Sequence, residues 1–182
     1  MRLTTILAIS ALAAACTGSG SDGAPDQSSA TVDVNTTAAN SFAVIDTTGK
    51  ELGMLEATER GGAIHVVGTL TGLEPGTKGM HLHAVGTCEP PFASAGPHWN
   101  PTGREHGADN PNGPHSGDLG NIQIAEDGSV KIDIMVSGAS LSGENALLDA
   151  DGASLVIHAG ADDNKTDPAG NSGARIACGR IG

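Results

Sequence analysis

Aromatic residues are almost absent from this chain of 182 residues, which contains one tryptophan, two phenylalanines and no tyrosine. Basic residues are also scarce, because nine lysines and arginines stand against 21 acidic residues and give a formal net charge of −12. Nucleic-acid binding depends on clustered lysine and arginine, and adsorption to an anionic membrane surface depends on positive charge. The composition therefore argues against both, and an anionic small-molecule substrate would need a locally positive surface.

Glycine, by contrast, is abundant, with 27 residues. Together with the scarcity of aromatics, this favours short strands joined by many turns over a helical bundle, and no segment has a convincing helical period. We predict an all-β domain over residues 40–182, an antiparallel barrel or sandwich of eight strands with two long loops at 86–118 and 159–174. Loops of this length inside a compact domain are usually either functional or disordered. The strands are expected at residues 41–45, 51–57, 63–70, 78–85, 119–125, 129–136, 154–158 and 175–181.

The N-terminal residues have the features of a secretory signal peptide ending at residue 15, with Arg2 before an apolar run at 3–15. This run is shorter than the roughly 20 residues needed to span a bilayer. Residues 12–16 resemble a bacterial lipobox, which predicts that Cys16 is acylated and becomes the new N-terminus. The alternative is ordinary cleavage that leaves Cys16 as a free thiol. Residues 16–39 are interpreted as a lipidated, flexible tether, because they are rich in small and polar residues.

The chain has three cysteines. One export cysteine and one disulfide in the body would account for all of them, and a disulfide implies an oxidising compartment. With the signal peptide, this predicts an exported protein that meets a membrane only through a lipid anchor at Cys16.

Six of the seven histidines are concentrated in residues 81–115 and at position 158. His81 and His83 point to the same side of a strand, because strand side chains alternate, and two imidazoles there form a ready chelate. A lone His-x-His is a weak signal and polar loops collect histidines by chance, but chance does not account for this concentration. His158 ends an apolar strand and could join the pair, whereas His65 is interpreted as an ordinary strand residue.

The first long loop supplies four further residues of ligand type. Histidine nitrogen and aspartate oxygen suit tetrahedral zinc, so we predict a zinc site in this loop. The candidate ligands are His98, His106, His115 and Asp118.

Five segments form a series, and four of them contain candidate metal ligands. They are Gly-Met-His-Leu-His at 79–83, Gly-Pro-His-Trp-Asn-Pro at 96–101, Gly-Asp-Leu-Gly-Asn at 117–121, Leu-Val-Ile-His-Ala-Gly-Ala-Asp-Asp at 155–163 and Gly-Ala-Arg-Ile-Ala-Cys-Gly at 173–179. In this order they resemble the successive signatures of copper–zinc superoxide dismutases, and the resemblance covers about residues 40–182. It implies a Greek-key β-barrel of eight strands. It also implies an enzyme that converts superoxide to oxygen and hydrogen peroxide at a copper site bridged to zinc. The predicted signal peptide would place this activity outside the cytoplasm.

The resemblance assigns roles to individual residues. One copper and one zinc ion per chain would share His98, which would bridge them as an imidazolate and take part in catalysis. Arg175 would lie beside copper and act on superoxide. Asp162 would accept hydrogen bonds from His81 and His106. The implied copper ligands are His81, His83, His98 and His158, the implied zinc ligands are His98, His106, His115 and Asp118, and the implied disulfide joins Cys88 to Cys178.

Two features resemble the bacterial exported, lipoprotein-type branch of that family. Only four residues separate His83 from Cys88, and the loop at 159–174 is short for this family. The resemblance to this branch implies a periplasmic, membrane-anchored lipoprotein, and it leaves open whether the protein is a monomer or a homodimer. Of the charged residues that would guide superoxide, the sequence offers only Lys165 besides Arg175.

Two alternatives to an enzyme are compatible with parts of the pattern. The first is a non-catalytic protein of the cell envelope that binds or stores copper or zinc, and the presence of all four implied copper ligands argues against it. The second is a purely structural zinc domain, which would leave His81, His83 and His158 unexplained. Superoxide consumption by the copper-loaded protein separates the enzyme from both.

Overall fold

The computed structural model describes residues 39–143 and 145–182, so the predicted signal peptide, Cys16 and nearly all of the predicted tether lie outside the described residues. Eight strands and one 3₁₀ turn form the regular structure, and each strand overlaps one that the sequence predicts. Within the described residues, no helix has the length and apolar character that crossing a membrane requires. The strands are β1 (Ala39–Asp46), β2 (Glu51–Arg60), β3 (Ala63–Leu70), β4 (Gly76–His83), β5 (Asp118–Ile124), β6 (Val130–Ser137), β7 (Ala153–His158) and β8 (Arg175–Ile181), and the 3₁₀ turn is Ala93–Ala95.

The eight strands form one antiparallel sheet that curls into a nearly closed barrel, in the order β5-β4-β7-β8-β1-β2-β3-β6. The two end strands are joined by a tight turn in which the Ala125 N–H donates to Ser129 O at 2.9 Å. Because β7 lies beside β4, the strands β7, β4, β5 and β6 have the 4-1-2-3 order of a Greek key. The predicted all-β, eight-stranded fold is confirmed.

Alternation of apolar and polar residues explains why these segments are strands. On β6, Val130, Ile132 and Val136 are buried, while Lys131 and Asp133 on the opposite face are exposed. A period of two is what a sheet with one face on the core requires. Burial of one aliphatic side chain contributes about 1.5–3 kcal/mol, so the inward half of each strand holds it to the core.

The first long loop, residues 84–117, begins two residues earlier than predicted. The N–H groups of Ala84 and Val85 donate to carbonyls of the loop itself, at 2.9 and 3.1 Å, instead of continuing β4. The loop ends at residue 117 because Asp118 is already the first residue of β5. The second long loop, residues 159–174, has the predicted bounds.

The first long loop is hydrogen-bonded to the buried end of β4. The Leu82 N–H donates to Gly117 O, and Leu82 O accepts from the Trp99 N–H, both at 2.8 Å. His83 and His98 form a β-bridge at the same place. Two parts of the loop that are distant in sequence therefore lie along one strand, and their side chains meet those of the barrel.

A disulfide joins Cys88 in the first long loop to Cys178 on β8, with Cα atoms 5.6 Å apart and a sequence separation of 90 residues. The predicted pair is confirmed. Phe92, Ala95 and Val156 pack beside this bond in a small buried cluster. The loop is thereby tied to the barrel at a second point.

Candidate metal centre

Four histidines meet where β4, β7 and the first long loop come together. His81 and His83 lie on β4, His158 is the last residue of neighbouring β7, and His98 comes from the loop through its bridge with His83. All four are buried, with at most 7% of each residue exposed. One ligand atom from each lies within 4.8 Å of those of the others. These residues are called the four-histidine cluster below.

In each ring of the four-histidine cluster, one nitrogen is hydrogen-bonded and the other has no partner among the described residues. The Nδ1 atoms of His83 and His158 donate to backbone carbonyls at 2.8 and 3.1 Å, which leaves the opposite nitrogen of each ring with a free lone pair. A buried polar atom without a partner costs about 1–3 kcal/mol, so four in one place indicate a site for a cation. The unpartnered atoms are His81 Nδ1, His83 Nε2, His98 Nε2 and His158 Nε2.

Burial keeps three of these imidazoles neutral. Desolvation is the largest cause, and it lowers the pKa of His81 to about 3, of His83 to about 2 and of His158 to about 4. At neutral pH the lone pairs are therefore not occupied by protons. Neutral imidazole is the form that binds a metal, and copper and zinc are both ions that it suits.

The second cluster, called the loop cluster below, consists of three histidines of the first long loop around the Asp118 carboxylate. A tetrahedral site with zinc–ligand bonds of about 2.0–2.2 Å has ligand–ligand edges of about 3.3–3.6 Å, and the observed distances from the carboxylate to the three rings are a few tenths of an ångström shorter. His106 Nδ1 lies close to the carboxylate but makes no hydrogen bond with it, so the lone pair of this nitrogen does not point at Asp118 Oδ1. Asp118 Oδ1 lies 2.8 Å from His98 Nδ1, 3.0 Å from His106 Nδ1 and 3.1 Å from His115 Nδ1.

Backbone groups of the loop hold the Asp118 carboxylate in its ionised form. The N–H groups of Gly107 and His115 each donate to Asp118 Oδ2 at 2.9 Å. Burial acts to raise the pKa of Asp118, but hydrogen bonds from His98 and the Gly107 N–H outweigh it and hold that pKa well below its usual range. The loop is therefore wrapped around one negative charge, which favours a divalent cation at this position.

The two clusters are connected by two routes. His98 belongs to both, because its Nδ1 contacts Asp118 in the loop cluster and its Nε2 is unpartnered in the four-histidine cluster. The Asp162 carboxylate provides the second connection, since it accepts from His81 Nε2 at 2.7 Å and from His106 Nε2 at 3.0 Å. The structure thus brings the predicted ligands, and the aspartate predicted to link them, into one site.

A cleft of about 510 Å³ opens onto the four-histidine cluster, and Arg175 lines it together with His98 and His158. The Arg175 guanidinium donates to Phe92 O at 2.6 Å and to Gly96 O at 2.7 Å. Gly96 O also accepts from His83 Nδ1, so one carbonyl holds both a cluster histidine and the arginine. Among the described residues Arg175 forms no salt bridge, and its charge is therefore not neutralised by a carboxylate.

The charges around the cleft differ from the expectation. Lys165 is not among the described residues that line it, whereas Arg104 of the first long loop does line it. The sequence signal for Arg104 is its position two residues before His106, a candidate ligand. His65, predicted to be an ordinary strand residue, contacts Asp133 at 2.9 Å and lies outside both clusters.

Comparison with known proteins places this site in a family. Residues 52–181 match the family described as copper/zinc superoxide dismutase (SODC). The chain is 43% identical over 142 residues to superoxide dismutase (Cu-Zn) 2 of Aquifex aeolicus (strain VF5), covering 76% of this chain and 83% of that protein. It is 41% identical over 145 residues to superoxide dismutase-like protein YojM of Bacillus subtilis (strain 168), covering 76% and 73%.

Solved structures give the same result. The crystal structure of a SOD-like protein from Bacillus subtilis superimposes with a TM-score of 0.75 at 36% identity, covering 78% of this chain and 97% of that chain. A double mutant of that protein gives a TM-score of 0.72 at 38% identity, covering 78% and 95%. In sequence and in barrel architecture, this chain belongs to the copper/zinc superoxide dismutase family.

Proposed function

We propose that this protein catalyses the disproportionation of superoxide to oxygen and hydrogen peroxide. The observation that carries the proposal is the convergence of four buried, unpartnered histidine nitrogens beneath a cleft that Arg175 lines. The reaction removes an electron from one superoxide and gives it, with two protons, to a second. The chemistry that copper would supply when bound is this one-electron transfer, which zinc does not perform.

We assign one copper ion to the four-histidine cluster and one zinc ion to the loop cluster. Three imidazoles with one carboxylate suit tetrahedral zinc, and an all-imidazole set suits copper. His98 would be shared as an imidazolate, with Nε2 toward copper and Nδ1 toward zinc. Metal analysis of the purified protein should find one of each per chain. Zinc alone in folded protein prepared with excess copper would contradict the copper assignment.

Two residues of the chain act on the substrate in this proposal. Superoxide is an anion, and a net charge of −12 repels it, so a positive charge at the cleft is needed. Arg175 supplies this charge, and its guanidinium offers a rigid fork of donors that can orient the anion. His98 lines the same cleft, and we assign to its Nε2 a proton relay. When it is not held by copper, Nε2 would take up a proton from solvent and give it to the superoxide that becomes hydrogen peroxide, and the second proton would come from solvent.

The alternative is a non-catalytic protein of the cell envelope that binds or stores copper or zinc. It is kept because one relative is named only as superoxide dismutase-like. The complete four-histidine cluster and the cleft above it favour the enzyme. Superoxide consumption by protein loaded with copper and zinc, compared with protein loaded with zinc alone, separates the two. Consumption that depends on copper supports catalysis, and its absence in copper-loaded, folded protein supports storage.

We further propose that the protein is an exported, periplasmic lipoprotein. The sequence supports this through the signal peptide, the lipobox-like residues 12–16 and the tether that follows. Cys16→Ser should abolish lipid attachment, measured by mass spectrometry, and release the protein from the membrane fraction while both metals are retained. Wild-type protein that begins at an unmodified Cys16 and stays soluble without detergent would contradict the lipid anchor.

A further inference from the structure

Asn121 on β5 holds the backbone of Asp162 with two hydrogen bonds. Its Nδ2 donates to Asp162 O and its Oδ1 accepts from the Asp162 N–H, both at 2.8 Å. One side-chain amide therefore engages both backbone polar groups of a single residue. That residue is the one whose carboxylate contacts His81 in the four-histidine cluster and His106 in the loop cluster.

The second long loop approaches β4 closely at this point because residue 79 is glycine. A Cβ on Gly79 would lie 3.2 Å from Asp162 Cβ and 3.1 Å from Ser172 Cβ, which is tighter than ordinary packing allows. Gly79 pairs with Asn121 across β4 and β5, and its N–H donates to Gly160 O at 2.8 Å. The loop is thus docked where the Asn121 side chain can reach it.

The Asp162 carboxylate is held by a different set of groups from those that hold its backbone. Its Oδ1 accepts from the Asn164 N–H at 2.7 Å as well as from His106, and its Oδ2 accepts from His81. None of these contacts fixes the Asp162 backbone, and a displaced backbone would move both oxygens at once. Because one oxygen contacts each cluster, a single displacement would disturb both.

We propose that Asn121 is a positioning residue for both metal clusters, acting through Asp162. This inference rests on the proposed function, because it concerns the same metal site. Removing a group that directly orients a metal-bound imidazole typically costs about 10–100-fold in metal affinity. Asn121 acts one residue further from the metal, so the expected loss is near the lower end, about tenfold.

The first test is the zinc affinity of copper-free protein, measured by competition with a chelator. Asn121→Ala should weaken zinc binding about tenfold. Gln123 provides the matched control, because it is an amide on the same strand that hydrogen-bonds Thr77 Oγ1 at 2.8 Å rather than Asp162. Gln123→Ala should leave zinc affinity within about twofold of wild type. Equal affinity in Asn121→Ala and wild type would overturn the proposal.

A double-mutant cycle tests whether Asn121 acts through Asp162. Adding Asn121→Ala to Asp162→Ala should cause no further loss of zinc affinity, whereas a purely structural role would give an additive loss. The copper EPR spectrum of Asn121→Ala should also shift, because His81 reorients, while that of Gln123→Ala should not. An additive cycle together with an unchanged spectrum would refute the positioning role.

A second variant keeps the test decisive if Asn121→Ala does not fold. Asn121→Asp retains the acceptor for the Asp162 N–H, but it loses the donor and sets a carboxylate oxygen against Asp162 O, so it should lose zinc affinity at least about threefold. Zinc affinity is read without any dismutase assay. Failure of wild-type protein to consume superoxide would therefore contradict the proposed function alone, and unchanged affinity in Asn121→Asp would contradict this inference alone.

Discussion

The two metal clusters share His98 but are built differently. Three of the four histidines in the four-histidine cluster lie on β4 and β7, which are adjacent antiparallel strands of the barrel. The loop cluster takes His106 and His115 from the first long loop, whose regular structure in the described residues is limited to a 3₁₀ turn and a β-bridge, and gathers them around Asp118. The comparison indicates that the sheet positions most of the ligands proposed for copper, whereas the loop and the ligands proposed for zinc position each other.

Removing a histidine that lies on a strand should disrupt metal binding in the four-histidine cluster alone. His158→Ala deletes one ligand from β7 and leaves the loop cluster intact, so activity should fall to background while zinc content stays at the wild-type level. Metal analysis and superoxide consumption on the same preparation measure both quantities. His65→Ala is the matched control, because it removes a strand histidine outside both clusters and should keep both metals. Joint loss of zinc and copper in His158→Ala would show that the four-histidine cluster and the loop cluster cannot be disrupted independently.

The disulfide tests the same difference between the two clusters, because it anchors the first long loop near the four-histidine cluster. Replacing Cys88 and Cys178 by serine should lower the free energy of unfolding by up to about 4–5 kcal/mol, from the entropy of closing so long a segment. Urea unfolding of the metal-free proteins measures this difference. Activity should also fall, since Gly96 O holds both His83 and Arg175. Unchanged stability and activity would mean that other contacts hold the loop.

Asp118→Asn tests the loop cluster. Removing the charge that gathers the loop should lower zinc affinity roughly a hundredfold or more, above the loss typical of an indirect partner. The first long loop should then be cut faster by proteases, while the strands stay protected. Limited proteolysis with mass mapping of the fragments measures this. A loop that remains as resistant as in wild type would show that zinc and the loop do not depend on each other.

Arg175→Ala should have the smallest effect, because it alters approach to the copper side without removing a ligand. We expect about a tenfold slower reaction at low salt, with both metals retained, because steering typically contributes 10–10³-fold and weakens with ionic strength. Arg175→Lys should fall between wild type and Ala, since it keeps charge but not the fork. Arg175→Glu should speed up as salt is added, because screening beyond about 8 Å relieves the repulsion. A wild-type rate for Arg175→Ala at low salt would exclude steering by this residue.

Much of the barrel and of the clusters can be predicted from the sequence, because both follow from local patterns. The alternation on β6 predicts a strand, and the spacing of His81 and His83 predicts two imidazoles on one side of β4. Ligand-type residues in a Gly- and Pro-rich loop likewise predict a zinc site. Each of these signals lies within a single segment of the chain, so it can be recognised before the tertiary structure is known.

What the sequence does not predict arises from contacts between distant segments. The shared acceptor at Gly96 O, the hold of Asn121 on Asp162 and the presence of Arg104 rather than Lys165 at the cleft all depend on how two loops meet the barrel. The sequence also does not predict which ring nitrogen of each histidine stays unpartnered, because tertiary hydrogen bonds decide this. Strand ends are also set by such contacts, as the loop hydrogen bonds that end β4 show.

Copper in the four-histidine cluster is what we propose makes this protein a superoxide dismutase. The most direct test is the second-order rate constant for superoxide decay, measured by pulse radiolysis on metal-analysed protein freed of unbound ions. We expect a constant per bound copper that approaches about 10⁸–10⁹ M⁻¹ s⁻¹, the diffusional ceiling that superoxide dismutase is itself known to reach. For His158→Ala carrying zinc alone, we expect decay at the uncatalysed rate. Uncatalysed decay in wild-type protein that holds one copper and one zinc per chain would exclude catalysis and leave metal binding as the remaining function.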